Sequence, residues 1–206
     1  MVLDQPTNKF TSTITMRGRF ITIYGINNVG KTTHSKRLVD RLKAAGKKAF
    51  YLKYPVYSLS PTGPYLNKIL RLHGKQKMSE EELQLWFVLN RFHFEPKLLA
   101  MLKKGITVIA EDYVGTGIAW GMAKDVSRIT LENMNKFLVQ PDVAIFMDGQ
   151  RSLKSKEKAH IHETDDVLAA RCQRIFRQLA KRYHWKIIKV SDDRNVTADR
   201  IWKASR

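Results

Sequence analysis

The sequence predicts an α/β fold in three layers, a five-stranded parallel sheet with helices on both faces, and three observations predict it. Five short runs read as buried strands, and the first, which ends at Tyr24, is apolar and β-branched, as a buried parallel strand should be. Segments with apolar residues at helical spacing separate them, and alternating strand and helix implies parallel pairing. Gly46 and Gly105 stand where a helix should end just before a strand begins.

In chain order, the strands are expected at 20–24, 49–53, 106–110, 143–147 and 187–190. Helical patterns fall at about 31–45, 62–73, 79–104, 130–138, 165–183 and 195–203. A chain of 206 residues with 43% hydrophobic content suits one domain with a sizeable core. No repeat or linker divides it, so 18–206 is expected to be that domain. Residues 1–17 lack an apolar core and a cleavage signature, and read as a flexible N-terminal extension. The segment 149–164 carries Arg151, Lys154, Lys156, Lys158, His160 and His162 among few apolar residues, and reads as a mobile basic lid.

Composition narrows the partners. No apolar run approaches ~20 residues, so nothing spans a membrane. The lone Cys172, in an expected helix, reads as a packing residue and fits a reducing, cytoplasmic setting. A formal charge of +18 fits a nucleic-acid surface, acidic small-molecule substrates, or solubility. Its Lys and Arg residues are spread along the chain, without tail or stripe, which favours small substrates with solubility over nucleic acid.

The stretch from Gly25 to Thr32, GINNVGKT, is a complete G-x-x-x-x-G-K-[ST] phosphate-binding loop. It follows the first strand and opens the first helix, so its backbone N–H groups and the positive helix end form an anion nest. Gly25, Asn28, Gly30 and Thr33 belong to this cradle. Lys31 would reach the β- and γ-phosphates of ATP, and the Thr32 hydroxyl would hold Mg²⁺. In such sheets ligands lie beyond the C-terminal strand ends. That rule brings together the phosphate loop, the turn from Tyr54 to Tyr57, Glu111 to Tyr113, and Gly149 to Arg151.

From about residue 18 onward the chain resembles the thymidylate kinases, P-loop nucleoside monophosphate kinases. Besides the loop, Lys53-Tyr54-Pro55 with Thr62-Gly63 resembles the family's turn after the second strand. Phe87 to Arg91 resembles its nucleobase helix, and Glu111 to Trp120 resembles the stretch that usually begins Asp-Arg-Tyr. Pro141 to Asp148 resembles the fourth strand that precedes the lid. The resemblance implies ATP- and Mg²⁺-dependent phosphorylation of a deoxynucleoside monophosphate, dTMP to dTDP. It implies that Phe87 stacks on the acceptor base, Arg91 binds its edge or phosphate, and Tyr113 closes beside the deoxyribose. Lys53, Tyr54, Asp112, Thr116 and Trp120 complete the acceptor pocket. Glu111 is expected to meet Mg²⁺ through water, and Arg151 to stabilise charge on the transferred group. The family commonly dimerises through helices, and helix 83–94 could contribute apolar surface to a homodimer, though the sequence alone identifies no interface.

Three positions depart from the family pattern. Asn27 stands where Asp or Glu is usual, Asp112 stands for an arginine, and Tyr57 stands for another. Two losses of positive charge at the acceptor phosphate leave Lys53, Arg91 and a lid cation to neutralise it. Two alternatives stay open: a deoxynucleoside kinase with Asp112 or Glu111 as base, and a nucleotide-dependent binding protein without kinase activity.

Overall fold

The computed structural model describes residues 18–71, 78–151 and 166–206. The extension expected at 1–17 and residues 152–164 of the expected lid lie outside them. The order of elements is β1 (Phe20–Tyr24), α1 (Lys31–Ala44), β2 (Ala49–Lys53), α2 (Thr62–Leu70), α3 (Glu80–Lys103) and β3 (Thr107–Glu111). There follow α4 (Val114–Ala123), α5 (Arg128–Asn135), β4 (Val143–Asp148), α6 (Asp166–Arg182), β5 (Lys186–Lys189) and α7 (Arg194–Ala204).

The five strands are parallel throughout, in the order β2-β3-β1-β4-β5. Every residue of β1 and β3 is buried, which explains why their sequences read as unbroken apolar runs. From β1 the chain passes through α1 to the edge strand β2, whereas β4 lies on the other side of β1. The crevice above the β1 and β3 ends is therefore the place where a ligand can enter between diverging loops. Register brings the ends level: Glu111 of β3 pairs with Ile23 of β1 and with Lys53 of β2.

Local chemistry sets the helix boundaries. Gly30, at φ 96°, turns the chain into α1 with a left-handed conformation open mainly to glycine. Ser79 caps α3 by accepting from the Glu82 N–H at 3.1 Å, and Glu80, Glu81 and Glu82 complement the positive helix end. The main core joins the sheet to α1, α3, α4 and α6 through residues such as Phe20, Ile109, Phe146 and Phe176. A smaller cluster of Leu66, Ile69 and Leu83 ties α2 to α3, with Phe87 packed against it.

The structure differs from expectation at several points. Helix α4 was not expected, because glycines at 115, 117 and 121 weaken the helical signal. Each lets α4 approach a neighbour closely: a Cβ on Gly115 would lie 2.6 Å from the Trp185 ring, and one on Gly121 2.7 Å from Leu131. Strands β3 and β4 run on to Glu111 and Asp148, past their apolar stretches. Helix α2 stops at Leu70, and α5 spans Arg128–Asn135, earlier than its pattern suggested. Cys172 is wholly buried in α6, and burial raises its thiol pKa, consistent with a packing role.

Candidate active site

A cleft of about 780 Å³ opens above the strand ends, lined by the phosphate loop, the β2 and β3 ends, α3, α4 and Arg151. The loop conformation is fixed by its own residues: Asn28 has φ 63° and Gly25 φ 152°. A Cβ at Gly25 would meet the Met147 carbonyl at 3.0 Å. Lys31 is buried and donates from Nζ to the carbonyls of Gly25 and Ile26, each at 3.0 Å. The same ammonium lies 3.7 Å from Asp112 Oδ1. It is a cation held over a rim of backbone N–H groups, as phosphate binding requires.

Glu111 is the hub of the floor. Its Oε1 accepts from the Thr32 hydroxyl at 2.8 Å and lies 3.3 Å from Lys53 Nζ, while Oε2 accepts from the Tyr51 hydroxyl. Burial alone would raise this carboxyl's pKa, but Lys31, Lys53 and the two hydroxyl donors hold it below its usual value. For Asp112, burial and the neighbouring Glu111 charge prevail over Lys31 and raise its pKa. Its Oδ1 accepts from Thr116 at 2.8 Å. The Lys53 ammonium is stabilised in turn, since Glu111 and Asp112 outweigh its desolvation and raise its pKa.

Arg91 also lines the cleft; it is 4% exposed and donates from Nη1 to Asn135 Oδ1 at 3.0 Å. No carboxylate among the described residues pairs with it; Tyr113 offers a ring face 6.0 Å away. Burial lowers its pKa, opposed by the surrounding tyrosines. Phe87 presents one side to the Leu66–Ile69–Leu83 cluster and another to the cleft. Trp120, Thr116, Tyr54 and Lys53 line the same cavity. Arg151 lines it as well, with Nη1 donating to Asp166 at 3.0 Å.

Of the residues named in the sequence for the phosphate loop, the acceptor pocket and catalysis, all but Gly25 and Tyr113 line this cleft. Gly25 acts through its carbonyl on Lys31. Tyr113, expected beside the deoxyribose, is 1% exposed and is not among the residues that line the cleft; it packs edge-on against Phe20, with ring centroids 5.0 Å apart. Asp112 has φ 60°, and this turn after β3 swings Tyr113 inward. The sequence reading also missed Gln84, although it shares the Phe87–Arg91 stripe of α3. It missed Ser191, Asp192 and Arg194, which the strand-end rule reaches once applied to β5.

The thymidylate kinase family model matches residues 23–201. The human thymidylate kinase is 30% identical over 180 residues, 85% of this chain and 84% of its own length. The thymidylate kinase of Nitrosospira multiformis is 30% identical over 183 residues, covering 84% of this chain and 88% of its own. A solved structure of thymidylate kinase from Candida albicans superposes with a TM-score of 0.73 at 22% identity, over 91% of this chain and 90% of that one.

Proposed function

This chain belongs to the thymidylate kinase family, and on that premise we propose that its cleft carries out ATP-dependent phosphorylation of dTMP to dTDP. One observation carries the assignment of roles. A phosphate loop and a buried arginine, without a carboxylate partner among the described residues, line a single cleft. A buried guanidinium in that state suits an anion or a carbonyl oxygen as its partner.

The donor triphosphate lies along Gly25 to Thr33, with Lys31 leaving the loop carbonyls to meet the β- and γ-phosphates. The acceptor base lies between Phe87 and Trp120, with Arg91 at its edge. Its phosphate faces Lys53 and Arg151, which take the place of the arginines absent at 57 and 112. The nucleophile is an oxygen of a phosphate monoester, already largely ionised near neutral pH, so no general base is needed. The P–O bond to the acceptor forms as the bond to ADP breaks, and Lys31, Lys53 and Arg151 offset charge on the transferred group.

The residues present also fit Mg²⁺. The Thr32 hydroxyl and Glu111 Oε1 lie 2.8 Å apart at the loop, a pair of hard oxygens. Both Glu111 oxygens already accept from protein donors, so Thr32 would bind the ion directly and Glu111 through its water shell. The ion would neutralise the triphosphate when bound. Three outward-facing leucines of α3, Leu85, Leu89 and Leu99, support a homodimer. The single buried cysteine supports a cytoplasmic setting. No helix of the described residues is long and apolar enough to cross a membrane.

The test is turnover of ATP with a panel of deoxynucleosides and their monophosphates, followed by product analysis. Wild-type protein should convert dTMP in preference to thymidine. Lys31→Ala should lower kcat by roughly a hundredfold to a thousandfold with an unchanged circular dichroism spectrum. A near-normal rate in that variant, or thymidine outcompeting dTMP, overturns the scheme.

A further inference from the structure

Gln84 lies on α3 one turn before Phe87 and two before Arg91, so the three share a stripe of the helix. It is 2% exposed yet lines the cleft. Its Nε2 donates to Glu80 Oε1 at 2.8 Å, and Glu80 Oε2 accepts from Lys124 Nζ at 2.8 Å. An ionised carboxylate can only accept, so the Gln84 amide cannot be turned over. Nε2 faces Glu80, and Oε1 is left on the other side.

That side is the cleft wall at Gly117. A Cβ at Gly117 would lie 3.0 Å from Gln84 Oε1 and 2.8 Å from Arg91 Nη2, so an acceptor and a donor converge on one place. No described residue donates to Gln84 Oε1. The oxygen belongs to a cleft-lining residue and keeps its lone pairs for a donor that enters there. Gly117 keeps the space open, since any larger residue would fill it.

The group that answers both is a ring edge carrying an N–H beside a C=O. Thymine and uracil present that pair at their imide edge. Cytosine presents a ring-nitrogen lone pair and an amine instead, which places lone pair against lone pair at Gln84 and amine against guanidinium at Arg91. We propose that Gln84 is a specificity-determining residue that accepts the imide N–H of the acceptor base while Arg91 donates to the adjacent carbonyl. The proposal rests on the dTMP reading given above.

Gln84→Met removes the acceptor at nearly constant volume and leaves Glu80 paired with Lys124. The measurement is the ratio of kcat/KM for dTMP to that for 5-methyl-dCMP, which differs from dTMP only at the ring edge in question. Wild type should prefer dTMP. The variant should lose about tenfold to a hundredfold of that ratio, through a drop for dTMP, with KM for ATP unchanged. An unchanged ratio, with both substrates falling together, makes Gln84 structural and overturns the proposal. Should the variant not fold, binding to wild type decides: dTMP methylated at its imide nitrogen, bound as tightly as dTMP, overturns it equally. Absence of dTMP turnover by wild type strikes the underlying reading, whereas turnover with an unaltered ratio strikes Gln84 alone.

Discussion

Arg91 and Tyr113 face each other across one stretch of protein interior and illustrate opposite uses of burial. Among the described residues the guanidinium is answered by an amide oxygen, by aromatic side chains and by the charge of Asp112, without a direct carboxylate partner, a costly state that a ligand can relieve. Its place on an otherwise apolar helix made it legible in the sequence. Tyr113 was not legible, because the left-handed turn at Asp112 decides which side of the sheet end it meets. Its hydroxyl is buried with no hydrogen-bond partner, and its ring centroid lies 5.1 Å from that of Tyr54. Tyr113→Phe should therefore raise stability by about 1 kcal/mol, measured by denaturant titration, since it removes an unsatisfied polar atom. Discrimination between dTMP and its ribonucleotide counterpart should not change. A fall in that discrimination would return Tyr113 to the sugar site.

Among the elements, the strands were the easiest to read, because β1 and β3 are buried on both faces and are apolar or Thr at every position before Glu111. Helix α4 was the hardest. Its sequence VGTGIAWGMA contains no charge and little propensity, and tertiary contact alone makes it a helix. Its glycines are spacers. At Gly115 an added methyl would meet the Trp185 ring at 2.6 Å and the Tyr24 ring at 2.9 Å. Those rings pack against each other at a tilt of 39°, with centroids 4.5 Å apart, and cannot withdraw as a flexible chain end would. Gly115→Ala should cost about 1–3 kcal/mol in unfolding free energy despite the better helix propensity of alanine. A neutral or stabilised variant in thermal unfolding would mean that α4 can slide away from β1, and that the acceptor wall it carries is soft.

Across the whole molecule, one topological rule located the cleft before any side chain was placed, and its incomplete use explains the omission of Ser191 to Arg194. The sequence did not reveal which apolar positions of α3 face inward, because apolar and polar residues are both spread around the helix. Leu83, Val88, Phe94, Leu98 and Leu102 are buried, which leaves Leu85, Leu89 and Leu99 exposed at 46%, 49% and 39%. These alternate with half-buried Phe92 and exposed Pro96 at spacings of three and four, the pattern of a helix seam with a partner. A second copy offers the same stripe, and a two-fold axis can lay the stripes together in an isologous contact. Charge also matters here: at +18 two copies repel at long range, so any association must come from apolar burial at short range. Leu89→Lys places a cation at the middle of the seam without touching the cleft. Sedimentation equilibrium should then show wild type as a dimer and the variant as a monomer with an intact fold. The dimer should also tighten as salt is raised, because screening weakens the repulsion and spares the apolar contact. A wild type that stays monomeric at every salt concentration, or a Leu89→Lys variant that dimerises as well as wild type, removes α3 from the interface.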